Sequence, residues 1–267
     1  MSRFGPRYFF ISMLNLWPRQ APCLVIGHRG AMGYAPENTL ISFEEAIRRG
    51  ADLIEMDVQL SADGEVVVMH DSSVDRTTDG SGFVRDLPWK KIRSFDAGFW
   101  YGPDYAQQFV PALADVLGRF RNRKTTKKHL LGFIVELKTV RGSGGSLADA
   151  VVAVLGREGM IDRCCIISFD AVALQEVRAA HKTIPTGLLF SEDTEEGRIV
   201  QAKAVGAQAI FPRKTWVTAR GVAAAHKAGL SVSVWTANTK NEMKRMVTCG
   251  VDAVTTNFPD RLRALMG

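Results

Sequence analysis

Ile54-Glu55-Met56-Asp57-Val58-Gln59-Leu60 alternates apolar and polar residues with period two, the pattern of a β-strand. Ile54, Met56, Val58 and Leu60 share one face, and Glu55 and Asp57 share the other. Ser61-Ala62-Asp63-Gly64 follows, then Glu65-Val66-Val67-Val68-Met69-His70. Asp63-Gly64 between two such runs is a hairpin signal. A two-residue loop there pairs Ala62 with Glu65 and, counting back, Asp57 with His70. Cross-strand partners share a face, with Cβ atoms about 4.5–5.5 Å apart. The spacing therefore predicts that Glu55, Asp57 and His70 converge. Burying two carboxylates together is costly, and a hard divalent cation with oxygen ligands removes that cost. The alternative is an edge hairpin whose polar face meets water.

Outward from the hairpin the chain is regular. Cys23-Leu24-Val25-Ile26-Gly27-His28 is an apolar run ending in a polar residue. Arg29-Gly30-Ala31 and Pro36-Glu37-Asn38 form the next loop, with Asn38 placed to cap a helix on Leu40, Phe43 and Ile47 that Gly50 closes. A parallel crossover needs a dozen or more residues, so the strand carrying His70 must run antiparallel to its predecessor. Residues 71–110 are rich in Gly, Asp, Thr and aromatics without a long period, and read as a small insertion. Beyond them, a helix is predicted over 111–122. Strands follow near 131–137, 164–169, 185–190, 208–212, 231–236 and 252–256. Helices near 146–158, 171–181, 194–205, 218–228 and 240–248 alternate with them.

Without the antiparallel His70 strand, eight strand candidates remain, mostly joined by helices. That is the pattern of a (β/α)8 TIM barrel, with a doubly wound sheet as the alternative. Active residues of such barrels sit at the C-terminal ends of the strands. His28 ends strand one, Glu55 and Asp57 lie late in strand two, Glu136 and Lys138 end strand three, and Trp235 ends strand seven. Glu136 adds a third carboxylate. Three carboxylates suit Mg²⁺ or Ca²⁺, and no thiolate or histidine-rich set argues for zinc. His28 and His70 can serve as base and acid, and Arg29 and Lys138 supply positive charge for an anion. A phosphodiester fits this set. Taken singly, each has a structural alternative: a packed histidine, a Glu136–Lys138 strand-end ion pair, a core tryptophan. His129, His181 and His226 read as surface or packing residues.

The 267 residues, 46% hydrophobic and 23% charged, suffice for one large core. Lys+Arg 34 against Asp+Glu 28 leaves +6, dispersed except at Arg119-Phe120-Arg121-Asn122-Arg123-Lys124 with Lys127-Lys128. That cluster reads as a solvated helix end and not a nucleic-acid site, though it could attract anionic lipid head groups. Cys23, Cys164, Cys165 and Cys249 show no metal spacing and suit buried thiols in a reducing, cytoplasmic compartment. Residues 1–22 stand apart as a tail. Phe9 through Trp17 is apolar, flanked by Arg3, Arg7 and Arg19. It is too short to span a bilayer and lacks a clear cleavage site; weak membrane-surface contact is the minority reading.

A set of motifs then runs in order from residue 23 to the C-terminus. It comprises His28-Arg29-Gly30, Pro36-Glu37-Asn38-Thr39, Glu55-x-Asp57-Val58, Asp63-Gly64, Val67-Val68-x-His70-Asp71 and Asp75-Arg76-Thr77-Thr78-x-Gly80. It continues with Phe95-Asp96-Ala97-Gly98, Pro111-x-Leu113, Glu136-x-Lys138, Ser168-Phe169, Val234-Trp235-Thr236-x-Asn238 and Gly250-Val251-Asp252. Together these resemble the glycerophosphodiester phosphodiesterases. The resemblance implies a barrel domain over 23–267 and a divalent cation held by Glu55, Asp57 and Glu136. It implies His28 and His70 as the acid–base pair and Arg29 and Lys138 on phosphate. Trp235 and Phe169 would line the pocket for the glycerol or alcohol. The implied reaction cleaves a glycerophosphodiester to sn-glycerol 3-phosphate and an alcohol through a cyclic phosphate. A lysophospholipase D-type activity on lysophospholipids and a non-catalytic binding protein on the same scaffold are the alternatives. Asn257 stands where the family usually has an acidic residue, and the apolar tail has no counterpart in the motifs.

Overall fold

In a computed structural model, residues 23–139, 144–192 and 195–266 are described. The expectations for residues 1–22 lie outside them. Nine strands form one sheet: β1 (Leu24–Gly27), β2 (Leu53–Leu60), β3 (Val66–Val68), β4 (Gly132–Leu137), β5 (Cys164–Ser168), β6 (Thr186–Phe190), β7 (Ala209–Pro212), β8 (Ser231–Val234) and β9 (Ala253–Thr256). The order is β1-β9-β8-β7-β6-β5-β4-β2-β3, and β1 also pairs with β2. That last pairing, Ile26 with Leu53, closes eight parallel strands into a barrel and removes the doubly wound alternative. Helices α1 (Leu40–Arg48), α3 (Leu113–Phe120), α4 (Gly144–Glu158), α5 (Ala171–Ala180), α6 (Glu195–Ala204), α7 (Ala219–Lys227), α8 (Lys240–Cys249) and α9 (Pro259–Met266) accompany the strands, and the short α2 (Trp89–Ile92) belongs to the insertion.

The period of two in β2 sorts its side chains as the sequence predicts. Ile54, Met56 and Val58 point outward and pack with Phe43, Ala46 and Ile47 of α1. Each such fully buried side chain contributes about 1.5–3 kcal/mol relative to exposure. The barrel interior is a separate cluster that includes Leu24, Ile26, Leu53, Ile134, Cys165, Ile167, Leu189 and Phe211. These fill the bottom and middle of the barrel. Glu55, Asp57 and Glu136 sit above them, toward the C-terminal ends of their strands.

The hairpin register differs from the expectation by one residue. Val58 pairs with Val68 and Leu60 with Val66, so Asp57 lies opposite Met69, whose N–H donates to the Asp57 carbonyl at 3.0 Å. The loop holds three residues, Ala62 to Gly64. Gly64 takes φ 83°, the left-handed conformation that a three-residue loop with a bulge requires. His70 still reaches the mouth because β3 stops at Val68. There the Gln59 side-chain amide donates to the carbonyls of Met69 (2.9 Å) and Asp71 (2.6 Å) and turns the chain inward.

Residues 71–110 bury Val74, Val84, Ile92, Phe95 and Val110 in a small cluster that they share with Val67 of β3 and Met69. Phe83, Phe99 and Trp100 remain exposed. α9, which has no counterpart in the sequence prediction, packs against β1 and α8.

Candidate active site

The first loop is built around tight backbone. Gly30 has φ 86°, and a Cβ there would lie 2.4 Å from Ser42 Oγ and 2.6 Å from the Ser42 carbonyl carbon. Only glycine fits. Arg29 just before it also takes a left-handed φ of 49°, which aims its N–H at Glu55 Oε2 (2.8 Å). Asn38, with φ 58°, does not cap α1. Thr39 does, accepting from the Ser42 N–H. Asn38 instead donates its amide to Asp57 Oδ2 at 2.9 Å.

β2 and β4 are in parallel register with Asp57 beside Glu136. The ligand oxygens of Glu55, Asp57 and Glu136 lie within 4.8 Å of one another, and all three residues are buried. Two cations reach them. Lys138 Nζ is 2.5 Å from Glu136 Oε1 and 3.0 Å from Asp57 Oδ1, and Arg29 Nε is 3.1 Å from Asp57 Oδ2.

Burial pushes the Glu55 carboxyl well above its ordinary range, and Asp57 and Glu136 add repulsion. Burial and then Asp57 push Glu136 up to about 7. Burial acts on Asp57 in the same direction, but Lys138, Arg29 and His70 outweigh it and hold that carboxyl below its usual range. Three buried carboxylates with ligand oxygens within 4.8 Å of one another, and no nitrogen or sulfur among them, are a donor set for a hard divalent cation. These residues could hold one.

The imidazoles are held by different acceptors. His28 Nδ1 is 2.8 Å from Asn257 Oδ1; His70 Nδ1 is 2.6 Å from Asp71 Oδ1. Burial, then Arg29, lowers the His28 pKa to about 4. Burial also lowers that of His70, with Asp57 opposing.

A cavity of about 200 Å³ opens at this end of the barrel, lined on one side by His28, Arg29, Glu55, His70, Glu136 and Lys138. Ile167, Phe169, Leu189, Phe211, Trp235 and Thr255 line the other. Phe169 and Trp235 meet edge to face at 5.6 Å, and Trp235 Nε1 donates to the Phe211 carbonyl at 2.8 Å. Eight of the nine residues singled out from the sequence therefore line one cavity. The ninth, Asp57, lies directly beneath, 1% exposed and paired with Arg29 and Lys138. Sequence reasoning assigned no site role to Glu37, Asn38, Asp71, Arg76 or Asn257, which hold these groups in place.

The model of the "Glycerophosphoryl diester phosphodiesterase family" matches residues 28–261. The chain belongs to the glycerophosphodiester phosphodiesterase family. A protein named glycerophosphodiester phosphodiesterase from Caldanaerobacter subterraneus subsp. tengcongensis is 33% identical over 239 residues, covering 90% of this chain and 96% of its own. The Oleispira antarctica phosphodiesterase, solved with its product sn-glycerol-3-phosphate, superposes with TM-score 0.81 at 29% identity over 90% of this chain and 95% of that one. A glycerophosphodiester phosphodiesterase from Agrobacterium tumefaciens superposes with TM-score 0.78 at 28% identity, over 91% and 99%. As a member of this family the chain is an enzyme, a phosphoric diester hydrolase. Among the described residues, no helix is long and apolar enough to cross a membrane.

Proposed function

We propose that this enzyme cleaves glycerophosphodiesters to sn-glycerol 3-phosphate and an alcohol, with a divalent cation, Mg²⁺ or Ca²⁺, held by Glu55, Asp57 and Glu136. The carrying observation is that two imidazoles, two buried carboxylates and two cations line one cavity of about 200 Å³, with the third carboxylate of the cluster, Asp57, buried against them. A cation bound there would offset charge developing on the phosphoryl oxygens. Arg29 and Lys138 bind the phosphate. His28 is the base. An amide oxygen on Nδ1 leaves that nitrogen carrying the proton and Nε2 free to accept one. The lowered pKa keeps the ring neutral at physiological pH. His70 is the acid: burial lowers its pKa, but Asp57 and the Asp71 carboxylate on Nδ1 act the other way and would stabilise the imidazolium that gives up the proton.

His28 takes the proton of the substrate's 2-hydroxyl as that oxygen attacks phosphorus, and His70 gives a proton to the departing alcohol. The cyclic phosphate is then opened by water with the two roles reversed. Trp235 and Phe169 pack against the glycerol. Cys164 and Cys165, buried and not joined in a disulfide, suit a reducing compartment such as the cytoplasm.

A second substrate class, lysophospholipids, is favoured by one observation. Phe169, Phe99 and Trp100 are 47%, 62% and 38% exposed, and Phe169 belongs to the cavity wall. The test is turnover of glycerophosphocholine and of lysophosphatidylcholine by EDTA-treated protein, before and after Mg²⁺ or Ca²⁺. Full turnover without added cation would refute the metal assignment.

A further inference from the structure

Glu37 is a buried carboxylate with no part in the reaction proposed above. Its side chain is 4% exposed. Oε1 accepts from Arg29 Nη1 at 2.7 Å and from Arg76 Nη2 at 2.8 Å, and Oε2 accepts from Arg76 Nη1 at 2.9 Å. Arg76 comes from the insertion. Its third donor, Nε, reaches Asp71 Oδ2 at 2.5 Å, and Asp71 Oδ1 is 2.6 Å from His70 Nδ1. One unbroken chain of charge-assisted contacts thus runs from Arg29 through Glu37, Arg76 and Asp71 to His70.

Both ends of that chain lie in the active-site cavity. The planar fork of Arg76 uses all its edges, two nitrogens on one carboxylate and one on another, so its position is set in two directions. Arg29 already has Asp57 within 3.1 Å. Glu37 holds the other edge of the same guanidinium through Nη1, so Arg29 is fixed between two carboxylates.

We propose that Glu37 and Arg76 are positioning residues, a carboxylate–guanidinium relay that fixes Arg29 and His70 relative to each other and ties the insertion to the barrel mouth. The relay rests on the roles given above to Arg29 and His70. The Arg76 side chain is 45% exposed, so its truncation opens no core cavity, and Arg29 remains as a partner for the buried Glu37 carboxylate.

The test is a double-mutant cycle on kcat with glycerophosphocholine. Arg76→Ala, assayed well below its melting temperature, should lower kcat about 10- to 100-fold with KM nearly unchanged. The same substitution made in His70→Ala should cost less than about twofold, because the group it positions is gone. Arg76→Lys, which keeps the charge but not the fork, should recover only part of the loss. Glu37→Gln should weaken inhibition by sn-glycerol 3-phosphate, a readout of Arg29. Equal losses from Arg76→Ala in both backgrounds, or an Arg76→Ala enzyme with normal kcat, would overturn the relay alone. A His70→Ala enzyme with wild-type kcat would sink the role of His70 and the relay with it.

Discussion

Asn257→Asp changes one atom of the His28 acceptor and places a negative charge beside the proposed base. The amide oxygen lies 2.8 Å from His28 Nδ1, so the charges of a carboxylate and an imidazolium would be centred about 4 Å apart. At an effective dielectric of about 20 that is about 4 kcal/mol, or about 3 pKa units. Desolvation of the new carboxylate offsets part of this, so the His28 pKa should rise by about 1–3 units. It starts at about 4. A base must be neutral, so raising its pKa moves the acidic limb of kcat/KM upward, to between about pH 5 and pH 7. For a two-unit shift, activity at pH 5 falls about tenfold, while activity above pH 8 is kept. The assay is kcat/KM for a glycerophosphodiester from pH 4 to 9, with the cation saturating throughout. An acidic limb that stays in place or moves down would refute the assignment of His28 as base.

Glu55→Gln should lower cation affinity and turnover together, read by titration calorimetry with Mg²⁺ or Ca²⁺ and by kcat. An unchanged affinity would remove Glu55 from the ligand set. Asp252 sits at the opposite end of the barrel, where Oδ2 accepts from the Val232 N–H and lies against His226 Nε2, both at 2.8 Å. Asp252→Ala should therefore cost about 1–3 kcal/mol and lower Tm by several degrees with kcat intact; a selective loss of kcat would contradict this division of the barrel. Trp100→Ala should raise KM for lysophosphatidylcholine more than for glycerophosphocholine, since each methylene buried against it is worth about 0.8 kcal/mol. Equal effects would return Trp100 to packing the insertion.

Local patterns made most of the fold legible. The alternation in β2 assigns its two faces without any tertiary information, and the strand–helix recurrence after residue 111 is enough for the barrel. The carboxylate set was legible for the same reason, because Glu55, Asp57 and Glu136 occupy alternate positions on strands whose ends the barrel rule selects. The hairpin register was not legible. Asp-Gly is compatible with loops of two or three residues, and a bulge at Gly64 shifts every partner by one. Asn38 was read as a cap because Asn caps helices, yet Thr39 beside it has the same capacity and takes the role. α9 has sparse apolar spacing; Pro259 at its first position was the one start signal. Glu37, Asp71, Arg76 and Asn257 are polar residues with many ordinary surface uses. Only the closed barrel, bringing loops 229 residues apart into contact at His28 and Asn257, gives them their work.

The central claim is that this cavity breaks the bond between phosphorus and the alcohol oxygen, leaving phosphate on glycerol. Phosphorus NMR of glycerophosphocholine incubated with the cation-loaded enzyme tests it in one time course. The account predicts sn-glycerol 3-phosphate as the final species, preceded by a glycerol cyclic phosphate, with free choline released in step. Phosphocholine as the product, or cleavage of a 2-deoxy analogue to choline and the corresponding propanediol phosphate at the rate of glycerophosphocholine itself, would contradict it.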